Sequence, residues 1–285
     1  MLMTHCGRYL LWFFVSILPN YACANDAYLF SQQKSEQWQN PEKWVIILGS
    51  SATIGPSYEG ARSANLYDRP YHLNLIPSIN WRRESEKADF SAPDDSLDFT
   101  FFSQNRIRAG LVANIRSGRY HGNDVQLKGL HNVRWTLEGG GFAEYWPVED
   151  HLRLRTELRH GLFRSNTGFV ADISGDWVEK ISQFTLSGGP RLSLANTTFM
   201  TRNFGISEDE ALKNGRVNAF NPSGFLKSTG LATALSYEWN KSITTGIFQR
   251  YDRLTNAAAK SPVTSILGQR NQYSIGASLN YSFKL

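Results

Sequence analysis

Five histidines follow the apolar start of this chain: His72, His121, His131, His151 and His160. They are where acid–base or metal chemistry would sit, because imidazole changes charge near neutral pH and ligates metals. His121 and Asp124 fall in one polar stretch and hold the raw materials of an aspartate–histidine protease site. Such stretches are rich in these residue types for turn-forming reasons alone. Metal-ligand spacing of the H-x-x-x-H kind is absent, and no glycine motif is placed to cradle a phosphate. Gly139-Gly140-Gly141 and Gly188-Gly189 lie inside strand-like runs, where glycine marks a bend, a bulge or close packing. Serines are plentiful, but none is singled out as a nucleophile beside a base. The residues therefore point to no catalytic, cofactor-binding or metal-ligating site, and to a protein that is not an enzyme.

The other chemistry is ionic. Between 149 and 163, Leu152, Leu154, Leu158 and Leu162 share one face, and Arg153, Arg155, Glu157 and Arg159 share the other. Flanking runs add Glu138 and Glu144 before, and Asp172 and Asp176 after. Antiparallel pairing predicts Glu144 opposite Arg153 and Glu138 opposite Arg159. On the other side it predicts Arg155 opposite Asp176 and Arg159 opposite Asp172. The result is a ladder of charge that either fills an interior or lines a solute channel.

Elements that could hold such a ladder are strands. Alternation of apolar and polar residues, with period two, recurs at 44–54, 70–83, 96–117, 129–146, 149–163, 167–180, 182–205, 223–239, 242–254 and 271–284. Four of these runs end in aromatic clusters: Glu144-Tyr145-Trp146-Pro147, Gly175-Asp176-Trp177, Ser236-Tyr237-Glu238-Trp239 and Asn280-Tyr281-Ser282-Phe283. Aromatic rings favour a membrane–water interface, and about ten residues of tilted strand cross a bilayer. Connections alternate between tight (147–148, 180–182, 240–241) and long (55–69, 118–128, 206–222, 255–270). Short periplasmic turns and long outer loops are the rule for bacterial barrels.

The fold class is therefore all-β: an antiparallel transmembrane β-barrel of about ten strands with one short helix in an outer loop. That helix begins at Ser207, whose spacing to Glu210 is a capping box, and stops at Asn214-Gly215. Splitting 96–117 at Ser103-Gln104-Asn105 and 182–205 at Asn196-Thr197-Thr198 gives the alternative of twelve strands. Residues 84–95 are long for a periplasmic turn. In this frame His151 starts a strand at the periplasmic rim, and His160 lies on the lipid-facing register near the outer rim.

Domain bounds follow. Residues 1–24 read as a cleaved signal peptide: Arg8, an apolar run from Leu10 to Leu18, Pro19, then Ala22-Cys23-Ala24. Residues 25–43 read as a polar periplasmic lead-in, and 44–285 as the barrel. Both cysteines, Cys6 and Cys23, leave with the leader. Asn20 and Tyr21 do not suit a lipid-attachment site at Cys23. The formal charge of +5 falls to +4 without Arg8, and the basic residues form no run, which excludes a nucleic-acid partner as the reading of this charge. Past the leader no apolar run approaches the roughly 18 residues of a transmembrane helix; the densest is Trp44 to Leu48. The expected location is the cell outer membrane, with lipid as the first partner.

The residues also resemble a known family, that of MltA-interacting protein (MipA/OmpV). The match runs through Gly55-Pro56-Ser57-Tyr58-Glu59-Gly60, Leu130 to Tyr145, and Leu152-Arg153-Leu154-Arg155-Thr156-Glu157-Leu158. It continues through Gly168-Phe169-Val170-Ala171-Asp172, Gly188-Gly189-Pro190, Asn203-Phe204-Gly205-Ile206-Ser207, Ser261-Pro262-Val263 and Arg270-Asn271-Gln272. The chain departs in the longer, more charged 84–95, in Phe204 where tyrosine is common, and in ending on Lys284-Leu285. The resemblance implies an outer-membrane barrel without catalytic activity. It also implies a scaffold that joins a murein lytic transglycosylase to a penicillin-binding protein. Other members are similar to small-solute porins or surface adhesins in proposed role. No functional-residue motif comes with the family, so none is carried over.

Overall fold

The computed structural model describes residues 43–61, 71–85, 90–122, 124–163 and 167–285. The leader and almost all of the lead-in lie outside the described residues. Eleven strands form one sheet: β1 (Trp44–Pro56), β2 (Tyr71–Arg83), β3 (Leu97–Gln104), β4 (Ile107–Arg116), β5 (Thr136–Val148) and β6 (Leu152–Gly161), then β7 (Phe169–Ile181), β8 (Phe184–Ala195), β9 (Phe225–Glu238), β10 (Ile243–Leu254) and β11 (Asn271–Lys284). β1 pairs with β11, so the sheet curls into a nearly closed barrel whose ladder ends at β2 and β3. The expected ten strands become eleven because one of the two polar breaks is a turn and the other is not. Asn105 and Arg106 adopt left-handed backbone (φ 48° and 70°), the two-residue hairpin geometry, and split 96–117. Asn196 instead ends β8 as a helix cap, its Oδ1 accepting from the amides of Phe169 and Phe199, both at 3.0 Å.

Period-two alternation builds the wall inside out. Along β6 the buried positions are Arg153, Arg155, Glu157 and Arg159, while Leu154 and Leu158 are exposed. Tyr273, Ile275, Leu279 and Tyr281 stand exposed along β11 in the same way. An apolar outer surface with ionic groups beneath is the pattern lipid requires. Short turns and the strand ends Trp44, Arg83 and Lys284 gather at one end of the barrel. Tyr145, Trp177, Trp239 and Tyr281 ring that end, each about half exposed. Trp146 leaves the expected belt. A register shift between Tyr145 and Val148 turns it inward, where its Nε1 donates to Glu144 at 2.7 Å.

The long loops at the other end are a folded cap. Besides the expected helix, which runs Glu208–Asn214 with both capping-box bonds and Gly215 in the left-handed region, three more short α-helices occur among the described residues. They are α1 (Thr197–Phe204), α3 (Asn256–Lys260) and α4 (Pro262–Ser265), with the expected one as α2. One apolar cluster joins Tyr58, Leu127, Leu130, Ile206, Val263 and Leu267; a second joins Val170, Phe199, Met200, Phe204 and Leu254. α2 buries none of its residues and rides on the outside of the cap.

Ten successive antiparallel pairings leave β2 and β3 running in the same direction. No ladder joins them among the described residues; Trp81 and Phe99 meet across the seam with ring centroids 5.5 Å apart. β3 starts partway up the wall, with Leu97 opposite Ala113, and residues 90–96 reach that start from within the barrel. This accounts for the excess length of 84–95.

The strand glycines bear out close packing. A Cβ on Gly140 would lie 1.8 Å from the Leu158 carbonyl oxygen, whereas one on Gly141 meets its nearest atom at 3.4 Å. Gly140→Ala should lower unfolding free energy by about 1–3 kcal/mol and Gly141→Ala by less than about 0.5. Urea unfolding in detergent, followed by tryptophan emission, measures both.

Candidate functional site

The interior is a continuous charge network, and β6 supplies its axis. Arg153 is wholly buried. Its Nη1 and Nη2 donate to Asp95 at 2.6 and 2.9 Å, and Nη2 also donates to Asp176 at 2.7 Å. Arg155 donates to Asp98 at 2.8 Å, to Glu157 at 2.9 Å and to Glu144 at 3.3 Å, and stacks 4.1 Å over the Phe142 ring. Arg159 pairs with Glu157 and Asp172 and lies 3.5 Å from Glu138. Arg108 pairs with Glu144 at 3.0 Å. Towards the cap, Arg116 joins Glu138 at 2.6 Å and Glu59 at 2.8 Å, and Lys227 joins Glu59 at 2.6 Å. Charge-assisted, often bidentate bonds of this kind are what allow arginine into a dry interior.

The predicted ladder exists with its register displaced by two residues on each side of β6. Glu144 stands opposite Arg155, Arg153 opposite Asp176, and Glu157 opposite Asp172. β5 runs to Val148 and the turn falls at 149–151, later than the expected 147–148. A two-residue displacement keeps every side chain on its face. Contacts at Glu138–Arg159 and Arg159–Asp172 therefore survive as expected, and Arg153 takes Asp176 in place of Arg155.

Sequence reasoning missed the group that crosses the lumen. Ala92-Pro93-Asp94-Asp95 is a tight turn: the Asp95 amide donates to the Ala92 carbonyl at 3.0 Å, and the Ala92 amide donates to the Asp95 carboxylate at 2.8 Å. Proline at the second position presets that turn. It aims both carboxylates into the barrel. Asp94 accepts from Arg191 Nε and Nη2 at 2.8 and 3.0 Å and from Arg250 at 3.1 Å. Ser96 Oγ donates to Glu157 at 2.6 Å and accepts from Arg159 at 2.7 Å. Phe90 lies beneath Arg153 and edge-on to Trp146. Residues 90–96 are thus bonded to β6, β8 and β10. Below them Phe90 and Ser91 line a recess of about 660 Å³ at the short-turn end; above them Asp94, Asp95 and Ser96 line an inner cavity of about 320 Å³. The surplus acids of 84–95 were the available signal, together with Arg191 and Arg250 on lumen-facing positions.

The histidines do not converge. His121 donates its amide to Asn132 at 2.9 Å, while Asp124 caps a 3-10 turn by accepting from Gln126 at 2.9 Å. His131 bonds Glu210 at 2.5 Å, His151 stacks on Trp177 at the short-turn rim, and His160 packs on Phe169. The His72 side chain lies outside what is described. Among the described residues no group of three or more His, Cys, Asp or Glu is arranged to hold a metal.

A nearly closed cylinder, greasy outside and ionic within, with short turns at one end and a loop cap at the other, is an outer-membrane β-barrel. The chain belongs to the family of MltA-interacting protein MipA, whose model matches residues 48–283. Among solved structures it is similar to the NanC porin, at 10% identity over 83% of this chain and 98% of that one, with TM-score 0.37. An outer membrane channel from Pseudomonas putida is similar at 7% identity over 85% and 96%, also with TM-score 0.37. The chain is also 34% identical, over 97 residues or 32% of its length, to uroporphyrinogen decarboxylase of Ralstonia nicotianae. It spans a quarter (25%) of that enzyme's length.

Two outcomes follow. Arg155→Ala takes from Asp98 its arginine partner and leaves Glu144 with Arg108 and Glu157 with Arg159, and should cost about 3–5 kcal/mol of unfolding free energy in detergent, as breaking a buried ion pair does. In the cap, burial pushes the Glu210 carboxyl up, but amide and side-chain bonds from Ser207 and His131 outweigh it and hold it down at about 2, against an ordinary 4.5. A depressed value gives stability that is present above 4.5 and lost as pH falls towards 2. Proteolysis of the cap should therefore stay slow from neutral pH to about 4.5 and quicken below it, and Glu210→Gln should abolish that dependence.

Proposed function

We propose that this outer-membrane barrel is a non-enzymatic docking platform. It is exported through the general secretory pathway with loss of residues 1–24. At its periplasmic end it holds a murein lytic transglycosylase, and through it a penicillin-binding protein. The observation that carries this reading is the way residues 90–96 lie across the lumen: Phe90 and Ser91 line a recess at the short-turn end. Arg106, Glu149, His151 and Lys180 line that recess with mixed charge suited to a polar partner. The family's interaction with a lytic transglycosylase, recorded in its name, supports the same choice. A stable interface takes about 800 Å² from each side, more than the turns alone supply, so the partner would enter the recess as well as cover the turns.

Affinity capture of the full mature chain from native envelopes tests the reading. A murein lytic transglycosylase should be recovered, and the double reversal Arg106→Glu with Lys180→Glu should cut recovery about tenfold, the effect of roughly 1.4 kcal/mol. Recovery of other envelope partners without any murein enzyme would remove it.

A further inference from the structure

Asp94 and Asp95 sit where a soluble anion would sit. Arg153 comes from β6, Arg191 from β8 and Arg250 from β10, and all three turn their guanidinium groups onto these two carboxylates. The wall gives the three cations two close carboxylates of its own, Asp176 and Asp252. Without the Asp94–Asp95 turn the cluster carries a surplus positive charge next to the inner cavity. Glu144 approaches Arg153 only at 3.7 Å and is shared with Arg108 and Arg155. Planar forks on three sides of one space are the geometry that binds polycarboxylates.

The hydrogen bonds of the turn run to arginine guanidinium groups, to Glu157 through Ser96, and within itself; Phe90 packs edge-on to Trp146, and Ala92 and Pro93 lie beside Ala232 and Phe248. A soluble carboxylate offers the arginines the same bonds. The tether gives the turn an effective concentration on the order of millimolar, so a competitor that engages several forks at once can displace it and a monocarboxylate cannot. Displacement removes the partition between the recess and the inner cavity.

We propose that Arg153, Arg191 and Arg250 form a binding site for small soluble polycarboxylates, occupied in this structure by the chain's own Asp94 and Asp95, and that occupation by the solute swings residues 90–96 aside and opens the lumen. The platform function does not depend on this. A barrel that fails to capture a murein enzyme can still gate, and one that never gates can still dock.

Planar bilayers with the refolded mature chain give the test. The wild type should be silent in potassium chloride and in acetate, and should show conductance steps in potassium citrate at matched ionic strength. Asp94→Asn with Asp95→Asn should open without citrate and prefer anions. Glu138→Gln, which removes a lumen carboxylate away from the turn, should stay silent. A citrate-silent wild type, or equal opening in Glu138→Gln, overturns the proposal. Ala92 is buried, so Ala92→Cys gives a readout that needs no neutralised aspartate. Citrate should raise its labelling by an impermeant maleimide at least about tenfold over chloride, as expected when a minor open population becomes a major one. Unchanged labelling overturns the proposal too.

Discussion

Arginine buried inside the barrel is the constraint on which the molecule depends. Arg153 has no exposed surface, and an unpaired charge in such a place costs many kcal/mol. It is tolerable only because Asp95 and Asp176 meet it with short, charge-assisted bonds. The same demand, repeated at Arg155, Arg159 and Arg191, fixes which face of each strand looks inward. It also sets which strands can be neighbours, because each guanidinium shares carboxylates from two or three elements. Lipid outside enforces the complement: one step of register would put these charges into hydrocarbon.

That constraint also explains an odd number of strands. A wall closed by antiparallel ladders alone needs an even count, and eleven leaves β2 and β3 parallel and without a ladder between them. Unpaired backbone groups at membrane depth are costly. Residues 90–96, which lead into β3, lie in the interior and are bonded to the opposite wall, so the β3 edge is tied to β6, β8 and β10. Trp81 on Phe99 covers the outside of the seam. The seam and the partition of the lumen meet at β3, since residues 90–96, which lie across the barrel, lead into that edge strand.

Much of this was legible in the amino-acid order, and the misses have physical causes. Period-two alternation located the strands because a single register error is so expensive; Leu152 to Arg159 declares its two faces without ambiguity. It says nothing of displacement by two residues, which preserves faces, and so the partners of Arg153 and Arg155 came out shifted. Polarity marked both breaks, at Asn105 and Asn196, but a left-handed turn and a helix cap draw on the same small polar residues. Trp146 looked like its aromatic neighbours until a bulge turned it towards Glu144. The lumen turn was beyond reach for another reason: Asp94 finds Arg191 97 residues on and Arg250 156 residues on, so no local pattern records the contact. The capping box at Ser207 was readable because it is wholly local.

The central claim is that residues 90–96 lie inside the barrel, bonded to its wall. A double-mutant cycle on Asp95→Asn and Arg153→Met, read by urea unfolding in detergent, tests it most directly. If the two side chains meet in the interior, the single losses will not add, and the coupling will be about 1.5 kcal/mol or more. Additivity within about 0.5 kcal/mol would place the turn elsewhere and contradict the account.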